Sequence, residues 1–279
     1  MENELSQSSL PRTWRIWERS ENPPPFQLQG RDIEIIRAIF LHRFLQPAHI
    51  HALLGGSEVN LARRCRLLWE HGYLERPKAL RPTKILTEEI VYALGKQGAR
   101  LLEHLDPRLR IGHMDWTETP KKQIGWPYID HQLGIATFFV CLKIACDHRG
   151  IQLHWDGHFN RRRFRIRLPK DKYKKDNPAF LPDAYFTLEV PGRGMAHHFL
   201  ELDRGNVSLS RMEQRYRLYH LWWLKRKEAL LKLEAEGKKQ NTFKDFFVLT
   251  ITQDPNYEYS LRKAALPIGR DKNHPRTWK

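Results

Sequence analysis

Two stretches of the sequence alternate apolar side chains with carboxylates, and this alternation predicts two strands of one sheet. In residues 183–190, apolar side chains occupy every second position, and Asp183 begins the alternate set. In residues 199–204, Glu201 and Asp203 are likewise two positions apart. Because successive side chains of a strand point to opposite faces, each predicted strand carries its carboxylates on one face.

Carboxylates converging from two neighbouring strands are typical of a divalent-metal site. Mg²⁺ prefers oxygen ligands, and Asp183 and Glu201 would supply them if the strands pair. An ion held there would activate water for hydrolysis of a phosphodiester. The pattern therefore indicates Asp183 and Glu201 as metal ligands, and adds Asp203 as a third candidate catalytic residue, if the site is active.

These residues resemble the Pro-Asp…(Asp/Glu)-x-Lys signature of restriction-endonuclease-like nucleases, with Pro182-Asp183 and Glu201 at the matching positions. The resemblance implies an α/β nuclease-like fold. Asp203 stands where the signature has lysine, which in those nucleases stabilises phosphate charge and orients the attacking water. Whether the protein is an enzyme is therefore left open between a Mg²⁺-dependent nicking endonuclease and a degenerate, non-catalytic domain.

Two arginines in the following helical pattern are candidates for approaching these carboxylates. Arg211 and Arg215 are four residues apart and so lie one helical turn apart on the same face. They would act either as stabilisers of transition-state charge in place of the lysine or as ordinary salt-bridge partners.

The charge balance indicates a polyanionic partner independently of that motif. The 279-residue chain has 48 Lys and Arg residues against 32 Asp and Glu residues, a formal net charge of +16. Such a field favours nucleic acid, and the alternative is a generally basic surface. The sequence has no Gly-x-x-x-x-Gly-Lys loop, which leaves ATP or GTP hydrolysis without support. Three cysteines without a Cys-x-x-Cys pair indicate buried thiols.

Residues 31–105 have the pattern of three short helices followed by two strands, which resembles a winged helix-turn-helix domain. Ser57 is placed to cap the third helix, whose outer side would carry Asn60, Arg63 and Arg64. The strands would flank a basic loop, the wing. Together with a basic strand pattern at 161–167, these segments give the residues predicted to contact double-stranded DNA: Asn60, Arg63, Arg64, Arg66, Lys78, Arg81, Lys84, Arg163, Arg165 and Arg167.

The second half has the order helix, strands, long helix and strand, which is the order of an α/β nuclease-like core. The expected fold class is therefore mixed α+β and α/β, in five segments: a flexible N-terminal arm at 1–30, a winged-helix DNA-binding domain at 31–106, a linker at 107–128, a restriction-endonuclease-like α/β domain at 129–267 and a basic C-terminal tail at 268–279.

The chain from residue 31 to residue 251 resembles the replication-relaxation family of plasmid and mobile-element proteins. The resemblance rests on Arg64 with Leu67-Leu68 and Gly72-Tyr73-Leu74, on His131, on Leu181-Pro182-Asp183-Ala184, on Phe199-Leu200-Glu201-Leu202-Asp203-Arg204-Gly205 and on Tyr216 with Tyr219. It implies DNA binding in the replication, maintenance or regulation of a mobile element.

Location and partners are the remaining expectations. Residues 1–7 lack the pattern of a secretory signal, and the longest apolar run, 135–146, contains Lys143 and is shorter than a membrane span. A cytoplasmic protein with no membrane association is therefore expected. Trp222 and Trp223 are neighbours on the long helix, so one of them is expected to face a protein partner, such as a recruited replication or transposition protein. An oligomer is also compatible with the sequence.

Overall fold

The computed structural model describes residues 17–77, 90–109, 111, 125–157, 164–167, 179–205, 207–237, 243 and 245–269. The chain divides into two units, Met1–Ala145 and Cys146–Lys279. The fold is mixed α and β, as the sequence predicts. The helices of the described residues are α1 (Gly30–His42), α2 (Pro47–Leu54), α3 (Glu58–Glu70), α4 (Lys96–Leu105), α5 (Trp126–Arg149), α6 (Leu209–Ala235) and α7 (Pro255–Gly269).

The strands of the first unit are short and form a single antiparallel sheet. They are β1 (Phe44–Leu45), β2 (Leu74–Glu75) and β3 (Tyr92–Leu94), in the spatial order β1-β3-β2. Helices α1 to α3 pack on this sheet through a core that includes Ile35, Ile39 and Leu68. The strand β1 and the helix α4 were not expected from the sequence, because a two-residue strand has no measurable alternation.

The third helix begins where the sequence predicts it. The Ser57 hydroxyl accepts a hydrogen bond from the backbone N–H of Asn60, which satisfies one of the free donors of the first turn of α3. Leu61, Cys65 and Leu68 are buried, as their spacing indicates. Local sequence therefore determines where this helix starts and which of its apolar residues face the core.

The described part of the N-terminal arm, residues 17–29, contacts the end of α3 and the strand after it. Arg19 donates hydrogen bonds to the carbonyl oxygens of Trp69 and Leu74, at 2.7 and 3.1 Å, and forms an ion pair with Glu75. The Phe26 ring stacks on His71 with 4.8 Å between the ring centroids. These contacts hold residues 17–29 against the first unit, although the sequence indicates a flexible arm.

Two glycines allow α4 to approach the turn that follows α3. A Cβ atom at Gly95 would lie 2.3 Å from the carbonyl oxygen of Gly72, and one at Gly98 would lie 2.4 Å from that of Tyr73. Both neighbours are backbone atoms, which cannot rotate away. The close contact between α4 and residues 72–73 therefore requires glycine at both positions.

Helix α5 is long and apolar enough to cross a membrane by length and composition, contrary to the expectation that its apolar run is too short. In the first unit its residues Ile129 and Leu133 instead pack on Phe44, Val91 and Ala93. About 44% of its most apolar stretch is buried inside the protein.

The division between the units lies inside α5, after Ala145. It is later in the chain than the linker predicted at 107–128, and residues 110 and 112–124 of that linker lie outside the described residues. The domain bounds given by the sequence stay a prediction.

The second unit contains a four-stranded sheet and a separate pair of strands. The sheet has the order β4 (Gln152–His154), β7 (Ala184–Val190), β8 (Gly194–Asp203) and β9 (Phe247–Thr252), and the pair is β5 (Ile166–Arg167) with β6 (Ala179–Phe180). Strands β4, β7 and β8 are antiparallel, whereas β9 runs parallel to β8. A parallel neighbour needs a long crossover, which α6 supplies.

One face of this sheet is covered by α6. Phe199 of β8 packs against Tyr219 and Trp222 of that helix, together with Phe246. Because side chains alternate along β8, the carboxylates at positions 201 and 203 lie on the same face as Phe199. The predicted carboxylates therefore lie beneath α6.

Candidate functional site

The outer side of α3 exposes a mixed polar and basic surface. Asn60, Arg63 and Arg66 are exposed, and the neighbouring Val59 is 79% exposed. Arg66 lies 3.8 Å from Glu70, and its side chain is 73% exposed. We call Val59, Asn60, Arg63 and Arg66 the α3 surface. It offers amide and guanidinium donors beside an apolar side chain.

Arg64 does not belong to that surface, contrary to the expectation from the sequence. Arg64 is 8% exposed, and its side chain forms a buried ion pair with Asp32 of α1, which is fully buried. Arg64 Nε donates to Asp32 Oδ1 at 2.8 Å, and Nη2 donates to Asp32 Oδ2 and to the carbonyl oxygen of Gln27. The guanidinium also stacks on the Phe26 ring. Arg64 therefore joins α3 to α1 and to the arm.

Of the remaining residues predicted to contact DNA, the structure describes only some. Lys78, Arg81, Lys84 and Arg163 lie outside the described residues. Arg165 is exposed, directly before β5. Arg167 is in β5, but its side chain is not described. The proposed wing and the cationic ladder of positions 163, 165 and 167 stay predictions.

The first predicted carboxylate, Asp183, lies at the end of β7 beside β8. Its backbone N–H donates to the carbonyl oxygen of Leu200 at 3.0 Å, and its Oδ2 accepts from the N–H of Leu202 at 2.8 Å. These bonds extend the ladder of the sheet by one residue. They place Asp183 next to Glu201, as strand pairing predicts.

Glu201 is fully buried, and both of its carboxyl oxygens have partners from α6. Arg215 Nη1 donates to Oε2 and the Tyr219 hydroxyl donates to Oε1, each at 2.6 Å. Burial raises the pKa of the Glu201 carboxyl to about 8, and the charge of Asp183 adds to the rise, while Arg215 and Tyr219 oppose it. Burial and Asp183 thus outweigh the two donors, and the pKa of Glu201 lies well above that of an exposed carboxyl.

Asp203 is also buried, with 2% of its surface exposed. Its Oδ1 accepts from the N–H of Gly205 at 3.0 Å, and its Oδ2 has no hydrogen-bond partner among the described residues. The Tyr257 hydroxyl donates to the carbonyl oxygen of Val207 at 2.6 Å. Burial, and then the charge of Asp203, raise the pKa of this hydroxyl. Asp203 is therefore a buried carboxyl at the last residue of β8.

This arrangement does not fit a divalent-metal centre. Both oxygens of Glu201 accept hydrogen bonds from α6, from Arg215 and from Tyr219, so a cation at Glu201 would have to compete with a guanidinium for the same carboxyl. Within the described residues, no group of three His, Cys, Asp or Glu side chains is arranged to hold a metal ion. The geometry supports a buried hydrogen-bonded cluster of Glu201, Arg215 and Tyr219.

Sequence reasoning named Arg215 as one of two candidates but missed Tyr219 as its companion. Arg215 and Tyr219 are four residues apart, so they lie on the same side of α6. That spacing was available in the sequence. Arg211 is exposed and has no hydrogen bond to these carboxylates among the described contacts. The neighbouring Tyr216 hydroxyl lies 2.9 Å from the Thr250 hydroxyl of β9.

A second polar group, formed by Tyr185, Thr187 and His197, lies on the same sheet face and is not among the predicted site residues. The Tyr185 hydroxyl and the Thr187 hydroxyl lie 2.7 and 3.1 Å from His197 Nδ1. Phe243 stacks on His197, with 4.3 Å between the ring centroids. Burial, and then the charge of Arg226, lower the pKa of His197. These contacts join the two central strands through side chains as well as backbone.

Residues 36–230, more than half of the chain, match the replication-relaxation family. The chain belongs to this family. The resemblance seen in the sequence is thereby confirmed. The range matched by the replication-relaxation family begins within α1 and ends within α6, so it contains both the α3 surface and Glu201. No curated protein and no solved structure matches the chain.

Proposed function

We propose that this replication-relaxation protein binds double-stranded DNA through its first unit and acts in the replication or maintenance of a mobile element. The observation that carries the proposal is the α3 surface, where Asn60, Arg63 and Arg66 are exposed together. Guanidinium and amide groups are the side chains that most often address base edges and phosphates. The net charge of +16 favours association with a polyanion.

The order of elements in the first unit supports this assignment. Helices α1, α2 and α3 are followed by β2 and β3, with β1 inserted after α1. In a winged helix-turn-helix the third helix of such an arrangement enters the major groove. On this interpretation α3 is the recognition helix, and the loop between β2 and β3, which contains Lys78, Arg81 and Lys84, is the wing.

We further propose that the second unit is a non-catalytic relative of a nuclease domain. Of the two carboxylates that would hold Mg²⁺, Asp183 is half-buried, and Glu201 is fully buried and bound by Arg215 and Tyr219. The lysine of the nuclease signature is replaced by Asp203. A carboxyl with a raised pKa and two hydrogen bonds is a poor ligand for a hard cation, which supports a non-catalytic second unit.

DNA binding is tested by fluorescence anisotropy of a labelled duplex titrated with protein at several salt concentrations. Replacement of Arg63 and Arg66 by alanine should weaken binding by about tenfold or more and reduce the salt slope by about 2, if both contact phosphate. Arg100 of α4 is an exposed arginine of the same unit. Arg100→Ala is the matched control and should bind as the wild type does. An equal loss of DNA affinity in the Arg63/Arg66 variant and in Arg100→Ala would contradict a role for the α3 surface.

Catalysis is tested by nicking of supercoiled plasmid in the presence of Mg²⁺ or Mn²⁺. We expect the wild type, Asp183→Asn and Glu201→Gln to give the same background. Divalent-dependent nicking that disappears in both variants would overturn the non-catalytic assignment and would leave the DNA-binding proposal intact.

A further inference from the structure

The outward side of α6 carries a stripe of leucines that the described residues leave exposed. Leu221, Leu224 and Leu231 are 39%, 38% and 57% exposed, although they lie on a 27-residue helix whose opposite side is packed on the sheet. The Trp222 ring is turned into the aromatic cluster around Phe199. Trp223 is half-buried and its indole N–H donates to Asp245 at 3.0 Å, so the most exposed apolar side chains of α6 are those of the leucine stripe.

The stripe has the spacing of a coiled-coil seam. Exposed residues recur at alternating intervals of four and three, which are the a and d positions of a heptad. The positions are Ser210, Gln214, Arg217, Leu221, Leu224, Glu228, Leu231 and Ala235. Because the a and d positions form a narrow stripe along the helix, this surface is better suited to packing against a second helix than against a flat surface.

The seam is complementary to itself in the antiparallel direction. A two-fold axis at the middle of α6, between residues 222 and 223, places Leu221 opposite Leu224 of a second copy. The same axis places Arg217 opposite Glu228 of the second copy, and Glu228 opposite its Arg217. Each a position then meets a d position along the whole helix. A two-fold contact requires this reciprocity between its residues.

A parallel pair would not have this property. It would place Arg217 against Arg217 and Glu228 against Glu228, which brings like charges together on the seam. In the protein as it stands, Arg217 pairs with Glu213 and Glu228 pairs with Lys232, both within α6. All four side chains are exposed, so exchanging these partners costs little.

We propose that α6 is a self-association surface on which a second copy of the chain docks as an antiparallel helix pair. Leu221 and Leu224 of both copies form the central apolar layers, and the Arg217–Glu228 contacts flank them and fix the direction. A pair of helices about 40 Å long buries less surface than a standard protein interface. The dimer is therefore a dissociating one, whose population depends on protein concentration.

The proposal is tested by analytical ultracentrifugation of the full chain without DNA over a wide range of concentration. The wild type should show a concentration-dependent shift from monomer to dimer. Because each contact occurs twice, Arg217→Glu or Glu228→Arg alone should weaken dimerisation by about tenfold. The double variant Arg217→Glu/Glu228→Arg should recover the wild-type affinity, since the charges again complement each other.

Two controls separate seam contacts from general effects. Arg262 forms an exposed ion pair with Glu258 within α7, with the same spacing as Arg217 and Glu213. Arg262→Glu should leave dimerisation unchanged. Leu221→Ala should weaken it by about a hundredfold, whereas Leu105→Ala, at a leucine that is 43% exposed on α4, should not.

The result that overturns the proposal is a monomer at every concentration, or a double charge variant that is as weak as its parents. If the wild type dimerises and each single charge variant dimerises equally well, the dimer uses a surface other than α6 and the proposal is wrong. None of these results depends on DNA, so failure of self-association and failure of the proposed DNA binding are distinguishable.

Discussion

Each of the two units buries one carboxylate against an arginine, and the two pairs are built differently. In the first unit, Arg64 contacts both oxygens of Asp32, and the backbone N–H of Gln29 adds a third bond at 2.8 Å. In the second, Arg215 contacts one oxygen of Glu201, and a neutral tyrosine hydroxyl takes the other. The charge of Asp32 is therefore matched more fully than that of Glu201.

The difference affects the ionisation of each pair. Hydrogen bonds to Asp32 raise the pKa of the Arg64 guanidinium, which keeps the guanidinium charged. Glu201 lies near Asp183 and is deeply buried, so its pKa is raised to about 8. An arginine neighbour alone therefore does not determine the ionisation of a buried carboxyl, because the number of donors and the nearest like charge also shift its pKa.

The largest expected effect on stability follows from breaking the buried ion pair of Arg64 and Asp32. Arg64→Met leaves Asp32 buried without its counter-charge, and should lower the free energy of unfolding by about 3–5 kcal/mol. Urea unfolding followed by circular dichroism measures this value. Arg63→Met, one residue away on the exposed side of α3, is the matched control and should change stability by less than about 0.5 kcal/mol. A similar small change in both variants would show that the buried pair contributes little.

The second effect is a pH dependence carried by Glu201. Its folded pKa, about 8, exceeds the ordinary value of 4.5, so the folded state binds more protons between these two values. The stability that Glu201 contributes is full below pH 4.5 and is lost as the pH rises towards 8, by on the order of a few kcal/mol.

Glu201→Gln removes this titration. The stability of the variant relative to the wild type should therefore increase between pH 5 and pH 8 in matched urea unfolding experiments. A difference that stays constant over this range would mean that Glu201 is ionised in the folded protein. It would also restore the similarity between the two buried pairs.

The first unit should show the opposite dependence through His42. Burial, and then the charge of His49, lower the pKa of His42 from 6.5 to about 3. The unfolded state binds more protons between these values, so stability is full above pH 6.5 and decreases as the pH falls towards 3. His42→Gln should lose less stability on acidification than the wild type does. Hydrogen exchange of residues 30–42, corrected for intrinsic rates, localises this effect to the first unit.

The smallest expected effect on stability follows from removing the Tyr219 hydroxyl, the second hydrogen-bond donor to Glu201. Tyr219→Phe removes the donor to Glu201 Oε1 in a buried site and should cost about 1–2 kcal/mol of unfolding free energy. Tyr216→Phe removes a hydroxyl from a partly buried bond to Thr250 on the same helix, so its cost should be smaller. A larger loss of stability in Tyr216→Phe than in Tyr219→Phe would show that the hydrogen bond from Tyr219 to Glu201 contributes little to stability.

Local sequence explains the elements of this fold better than it explains the site. Ser57, the heptad-like burial of α3 and the alternation along β7 were readable, because each depends on neighbours within a few residues. Arg64 was placed on the wrong side of α3, because its partner Asp32 is 32 residues earlier and belongs to another helix. A single arginine beside an apolar stripe has no local mark that distinguishes a buried ion pair from an exposed contact.

The carboxylate site shows the same limit. The alternation of residues correctly placed Glu201 and Asp203 on one face, and strand pairing brought Asp183 beside them. The chemistry depends on depth of burial and on which side chains of α6 lie over Glu201, and both follow from packing of the helix on the sheet. The oxygen-rich pattern predicted from the sequence therefore exists, but its oxygens bind Arg215, Tyr219 and backbone N–H groups.

The parallel pairing of β9 with β8 has a consequence for biosynthesis. Strand β8 ends at Asp203, and the strand that covers its outer edge begins only at Phe247, after the whole of α6. During translation, β8 therefore leaves the ribosome well before its neighbour and presents unpaired backbone groups on one side. A nascent chain that stalls between these strands exposes an edge able to pair with other chains, so binding of a chaperone is expected to be strongest in that interval.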